Sequence, residues 1–481
     1  MTTALGAIDL LVLAASLIAV VVIGLKVSGK TSDLEAYLLG DRNLPWWAIL
    51  GSIVATETST ATVLSVPGIG YGPVGMRFLQ LALGYIIGRT VVVRVLLPLY
   101  FRGDLFTAYQ VLDQRFGPRT KQAASLLFLI TRNLGDGLRL FLAAMVLQQL
   151  AGWPFSFSVI VMGVVTMFYT YFGGMRSVVW NDCLQFVIYM VGAIAAVFVI
   201  AANIPGGWDE LWRFAAEHDK LRIFDFTPSW SSPYNFWAGL IGGAVLTLGT
   251  HGTDHMMVQR YLSARSQRDA GKAVFLSGLV VFVQFAIFLF IGVELACYYA
   301  GTPKFEKTDQ VFADFIVHYF PKNTGLVGLM LAAILAAAMS TLSSSLNSSA
   351  SALVNDFYLP SLKTPLPPER ALAITRYLTL LFGVIQIGVG FWATRLARTV
   401  VDNALTIAGF SAGLLLGVYA LGVLTKRVGQ SAALSGAAVG LAVLLLVQFG
   451  VGPIGWKPIA WPWLALVGSA TTFGTGLLLS L

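Results

Sequence analysis

Charge is scarce in this chain of 481 residues: Asp, Glu, Lys and Arg together make up 11%. Soluble globular chains carry roughly 25%, so too few charges are present to solvate a surface of this size. Cysteine is scarcer still. Cys183 and Cys297 are the two present, and their separation excludes a disulfide framework and a zinc-ligand spacing. No His-rich metal motif, nucleophile elbow or phosphate loop occurs, so nothing supports a membrane enzyme. No filter motif of the kind that lines a channel is visible. Low-complexity tracts, heptad repeats and a soluble domain are also missing.

Apolar residues are what the chain does have: 57% of it is hydrophobic and the mean hydropathy is +0.77. The solvent for such a chain is the lipid bilayer, which admits only helices or closed barrels because backbone polar groups find no water there. Barrels alternate over segments of about ten residues. The apolar stretches here are long and do not alternate, which predicts an all-α polytopic membrane protein. At about 20 residues per span, spans fall near 6–27, 46–71, 76–100, 121–150, 155–173, 177–203, 234–262, 270–300, 324–354, 371–396, 401–425, 430–451 and 459–480, or about 13 transmembrane helices. A signal peptide competes for Leu10 to Leu25, but Met1-Thr2-Thr3 lacks the positive charge that such peptides carry. The expectation is an uncleaved first span.

The net charge of +8 could suggest nucleic acid. The positions of the bases argue otherwise. Lys26, Lys30 and Arg42, then Arg102, Arg115, Arg119 and Lys121, then Arg260, Arg265, Arg268 and Lys272, and finally Lys426 and Arg427 all fall on one side of the span count. That side is expected to be cytoplasmic, with the N-terminus outside the cell (inner) membrane and the C-terminus inside. The loops 204–233 and 301–323 read as folded external caps.

Two spans break their own rule. The second carries Ala55-Thr56-Glu57-Thr58-Ser59-Thr60-Ala61-Thr62 near its middle. A charge at mid-bilayer costs about 2.5–3.5 kcal/mol on insertion scales. Either Glu57 is held by neighbouring helices for packing alone, or the helix unwinds there to face a water-filled cavity. The seventh span is interrupted similarly by Gly249-Thr250-His251-Gly252-Thr253-Asp254-His255. Each break opens a five-span half, which predicts a five-plus-five inverted-repeat transporter core with a discontinuous first helix in each half. The single transmembrane domain of 1–481 then divides into a first span and loop (1–45), a first repeat (46–203), a second repeat (234–427) and two additional C-terminal spans (428–481).

The ninth span carries a hydroxyl ridge. Ala337, Ser340, Thr341 and Ser344 share one helical face, and Ser343 borders it. Hydroxyls and free carbonyls suit a hard cation, although small-residue helix packing uses Ser and Thr as well. In the sixth span Asp182 lies more than one turn in. It reads equally as an acid favoured by the helix dipole or as a functional group. In the fourth span Arg132, Asp136 and Arg139 lie three and four residues apart. Arg132 and Asp136 are expected to form a structural charge pair, which leaves Arg139 for a solute carboxylate.

These motifs resemble the sodium/solute symporter family of sodium-coupled sugar, proline, sialic acid and monocarboxylate transporters, over nearly the whole chain. The most specific pieces are Leu39-Gly40-Asp41-Arg42, Thr107-Ala108-Tyr109 with Arg115-Phe116-Gly117, Gly173-Gly174 with Trp180 and Asp182, Asp254 with Gln259-Arg260-Tyr261-Leu262, and the serine-rich ninth span. The resemblance implies Na+ as coupling ion, bound by the carbonyls of Ala55, Thr58 and Ala337 and the hydroxyls of Ser340 and Thr341. It also implies a second sodium site at Asp182, Ser340, Ser343 and Ser344. The sugar-binding pattern is not reproduced, since Thr62 and Leu405 occupy two of its positions.

The expected activity is therefore secondary active symport, not enzymatic: a small organic solute is imported with sodium ions by alternating access. Glu57, Ser59, Thr62, Arg139, Thr250 and His251 would line the solute cavity. Proton coupling through His251, Asp254 or Glu57 is the alternative. The expected partners are the solute, sodium ions and the lipid bilayer, with no nucleic acid and no obligate protein partner. The solute's identity, the number of sodium ions per cycle and the oligomeric state stay open.

Overall fold

The computed structural model describes residues 5–27, 33–300, 305, 308, 310–395, 400–450 and 459–481. Lys30 lies outside these residues, and so does the side chain of Leu405. The described chain is helical, without strands; one isolated bridge pairs Leu44 with Ala264. The principal helices are α1 (Ala7–Val27), α2 (Trp46–Glu57), α3 (Thr60–Tyr71), α4 (Leu79–Val91), α5 (Pro118–Ala151), α6 (Phe155–Asn203), α7 (Gly207–Glu217) and α8 (Gly243–Gly252). They continue with α9 (His255–Leu262), α10 (Gln267–Tyr298), α11 (Gln310–His318), α12 (Leu326–Leu353), α13 (Pro368–Trp392), α14 (Val400–Leu424), α15 (Gln430–Leu445) and α16 (Leu464–Leu478).

Among the described residues, eight helices are long and apolar enough to cross a membrane, or nine if the bent pair α2–α3 counts as one span. The sequence count of thirteen is larger for local reasons. The 49 residues of α6 cover two of the expected spans. Gly174 divides that helix with φ 53°, ψ −148°. A side chain is excluded there, because a Cβ would sit 2.3 Å from the Tyr37 carbonyl oxygen and the φ is left-handed. The expected seventh span is split into the short helices α8 and α9.

Both sequence interruptions are real backbone breaks. Thr58 and Ser59 are extended (φ −78°, ψ 111° and φ −106°, ψ 171°), and α2 and α3 meet at 64°. Ser59 N–H turns to the Thr62 hydroxyl (3.3 Å), the side-chain half of a capping box. The last carbonyls of α2 are thereby released from intrahelical bonding. In the other half, Asp254 is extended and caps α9 through Met256 N–H (2.9 Å).

The serine-rich helix is not broken. Every residue of α12 from Met330 to Ala352 is buried, so its hydroxyls face protein on all sides. It packs most extensively against α6. The chain's first helix is tied to it by Asp9, whose carboxylate accepts N–H bonds from Gly6 (3.0 Å), Asn323 (2.8 Å) and Gly325 (2.9 Å). On the opposite flank α4 touches α8 closely: a Cβ on Gly88 would lie 2.4 Å from the Ala244 carbonyl oxygen. Small residues permit such approaches between membrane helices.

Candidate functional site

The two helix breaks open onto one cavity of about 280 Å3. Glu57, Ser59, Thr62, Arg139, Thr250 and His251, the six residues expected to meet the solute, all line it. Arg132, Asp136 and Asp254 share its wall. Apolar rings close the rest, among them Phe78, Tyr85 and Phe285, and the lining reaches Tyr234 and Trp461. The cavity thus has a polar floor at the breaks and an otherwise apolar lining, in which Phe78 packs against Tyr234 and Phe285.

Every carboxylate of the floor already holds a guanidinium. Glu57 is bound by Arg89 Nη2, and the Arg89 Nη1 donates to Ser277 Oγ (2.6 Å). Arg89 is fully buried, while the Glu57 side chain is 17% exposed to the cavity. His251 Nε2 stands 3.6 Å from the same carboxylate. Its Nδ1 lies 3.2 Å from both the Thr247 and the Thr250 hydroxyls.

The charge pairing in α5 differs from the sequence expectation. Arg132 does lie 3.7 Å from Asp136, but its Nη2 is bound to Asp254. Asp136 bonds Arg139 instead, at 2.8 Å. Spacing within one helix could not reveal this, because the acid that takes Arg132 comes from the break before α9. Arg139 is therefore paired, not left over. It is still the most open of the paired arginines on the floor, with 28% of its side chain exposed.

Behind the floor, α12 meets α2. Thr341 Oγ1 donates to the Thr56 carbonyl (3.1 Å) and contacts the Ala337 carbonyl (3.4 Å). Ala55 precedes Thr56 and Thr58 lies two residues beyond it, so α12 meets α2 beside the break where the first sodium site is expected. The Ser340 hydroxyl donates to Asp182 Oδ1 (2.6 Å). Asp182 is fully buried, and its Oδ2 accepts from Ser52 (2.5 Å) and Thr56 (3.2 Å). Ser344 touches Thr56 (3.1 Å), and Ser343 bonds the Ser340 carbonyl (3.1 Å). Asp182 is no helix cap; it gathers hydroxyls from two other helices, α2 and α12.

Sequence reasoning missed two bases. It did not single out Arg89, and it counted Arg260 among loop charges. The Arg260 side chain is 1% exposed and lies 3.1 Å from Asp182. A base inside an apolar span was the available signal for Arg89. For Arg260 the signal was its position within the quoted Gln259-Arg260-Tyr261-Leu262. Gln284 and Tyr189, which bond the Thr58 hydroxyl at 2.7 and 3.2 Å, carried no signal at all.

Known proteins resemble this chain in sequence and in fold. A profile of the sodium:solute symporter family matches residues 37–440. The human sodium/iodide cotransporter is 28% identical over 433 residues, covering 89% of this chain and 67% of its own. Sodium-coupled monocarboxylate transporter 1 of Xenopus laevis is 29% identical over 450 residues, covering 92% and 72%. A solved Na+-coupled sialic acid symporter in a substrate-bound outward-open state superposes with a TM-score of 0.88 at 24% identity, covering 99% of this chain and 98% of its own. A nucleobase-cation-symport-1 family transporter superposes at 0.61 with 14% identity and 94% coverage of each chain. These two likenesses concern the fold. The chain is an integral membrane protein of the sodium:solute symporter family, a transporter and not an enzyme, with sodium as its coupling ion.

Proposed function

We propose that the protein imports a small organic solute, with an anionic group facing Arg139, by alternating access across the cell membrane. The convergence of both helix breaks on one cavity carries this reading. The floor's own charges cancel: Glu57 with Arg89, Asp136 with Arg139, Asp254 with Arg132. Sodium then adds net positive charge, which an anionic solute neutralises. The sodium-coupled monocarboxylate relatives point the same way. Glu57 and Asp254 each hold a guanidinium, which argues against either as a carried-proton site and leaves His251 as the remaining candidate of the proton-coupled alternative.

In this reading the first sodium ion sits on the Ala55, Thr58 and Ala337 carbonyls with the Thr341 and Ser340 hydroxyls. A second ion uses Asp182 with Ser340, Ser343 and Ser344. The thirteen-span, five-plus-five architecture sets residues 46–203 against 234–427, with the N-terminus outside. Rocking of the halves then exposes the cavity to the cytoplasm. The membrane potential supplies about 2.3 kcal/mol per sodium ion per 100 mV.

Proteoliposome uptake of small carboxylates, sugars and amino acids, driven by an inward sodium gradient, tests it. One carboxylate should accumulate only with sodium, and Arg139→Gln should weaken its half-saturation. Accumulation that follows a pH gradient without sodium would reject the proposal. Asp182→Ala should lower the sodium-to-solute ratio; an unchanged ratio removes the second ion.

A further inference from the structure

Asp182 does not share its hydroxyls with sodium alone. Arg260, on the short helix α9, sends its guanidinium into the same cluster. Its Nε donates to Ser52 Oγ (2.8 Å) and its Nη1 to the Met256 carbonyl (2.6 Å). The Nη2 reaches Asp182 Oδ2 (3.1 Å) and is also bound to Thr56 Oγ1 and Ser344 Oγ. All of these side chains are buried. Two of the four residues expected to ligate a second sodium ion, Asp182 and Ser344, are therefore already bonded to a protein cation. A third, Ser340, bonds the same carboxylate.

We infer that Arg260 and the second sodium ion are alternative occupants of the Asp182 cluster, and that sodium enters by displacing the guanidinium. The inference rests on the second-sodium reading above. Charge dictates the exclusion. One buried carboxylate balances one cation, and a guanidinium and a sodium ion on the same oxygens would leave an unpaired buried positive charge. The geometry gives the exchange a consequence. Arg260 is the link by which α9, from the second half, holds Ser52 and Thr56 of α2, from the first half. Loss of that link frees α9 from Ser52 and Thr56 of α2. Sodium binding here would act as an unlatching step.

The test is the sodium dependence of solute uptake and the measured sodium-to-solute ratio in proteoliposomes. Arg260→Gln removes the competing charge, so half-saturating sodium should fall on the order of tenfold, the scale of one charge-assisted contact. Arg260→Lys keeps the charge and should remain near the parent value. Arg260→Ala leaves a guanidinium-sized space. Millimolar guanidinium, below denaturing levels, should raise half-saturating sodium in this variant and leave the parent protein unaffected. A purely structural arginine would lower thermal stability in all three variants with no shift in sodium dependence and no guanidinium effect; that result overturns the inference. Asp182→Asn separates the two levels. If it lowers the ratio while Arg260→Gln leaves sodium dependence unchanged, only the competition fails. If the ratio itself is unchanged, the second-sodium reading fails with it.

Discussion

The Glu57–Arg89 pair makes a quantitative prediction because its members differ in exposure. Arg89 is wholly buried; Glu57 borders the cavity. Glu57→Gln leaves a buried guanidinium with Ser277 as its remaining side-chain partner. Removing one partner of a buried pair costs about 3–5 kcal/mol. The Gln carbonyl still accepts one N–H and returns about 1 kcal/mol, so the expected loss is about 2–4 kcal/mol. Arg89→Gln leaves a carboxylate that cavity water and His251, 3.6 Å away, can solvate. That variant should lose under about 2 kcal/mol. The double variant removes both charges and should cost less than the sum by at least about 1 kcal/mol. Unfolding of the purified transporter in one fixed detergent–lipid mixture reads all three. Equal losses for the two single variants, adding without coupling, would refute the assignment of a buried pair with one wet member.

Three further outcomes are expected. Thr341→Ala removes the hydroxyl between the Thr56 and Ala337 carbonyls and should raise half-saturating sodium about tenfold, measured by uptake against sodium concentration. Asp9→Ala strips four backbone donors, those of Gly6, Asn323, Gly325 and, at 3.4 Å, Gly328, of their acceptor; a loss of about 2–3 kcal/mol is expected, seen as a lower unfolding temperature with uptake preserved in the cold. Gly88→Ala drives a Cβ into the Ala244 carbonyl and should cost about 2–3 kcal/mol. Thr247→Ala should not rescue it, because the backbone contact persists, and rescue would show that the side-chain contact at 2.1 Å sets the cost.

The breaks and the ridge were legible in the sequence because they are local. Acids, hydroxyls and glycines inside apolar runs cannot face lipid, so Ala55 to Thr62 and Gly249 to Asp254 announce themselves. The face shared by Ala337, Ser340, Thr341 and Ser344 follows from helical spacing. Partners across helices were not legible. Glu57 finds Arg89 at a separation of 32 residues, Asp182 finds Arg260 at 78, and Arg132 finds Asp254 at 122. A hydropathy pattern tells which face of a helix is polar; it does not tell which neighbour meets that face. Arg260 shows the error most clearly. It stands near the end of an expected span, where a base normally belongs to a loop, yet α9 is short and buried throughout.

The Asp9 carboxylate carries a consequence for biogenesis. The Asn323 N–H that it accepts lies 314 residues further along the chain. Synthesis proceeds from the N-terminus, so α1 reaches the membrane long before its partner exists. Until then the carboxylate has the Gly6 N–H and water to satisfy it, which favours keeping the acidic end of α1 at the interface. α6, against which α1 packs most, is made first; the Asp9 bonds follow when the loop leading into α12 arrives. The Asp9 bonds to the loop before α12 thus form only after α12's neighbourhood has been made, and they join α1 to the helix that bears the hydroxyl ridge.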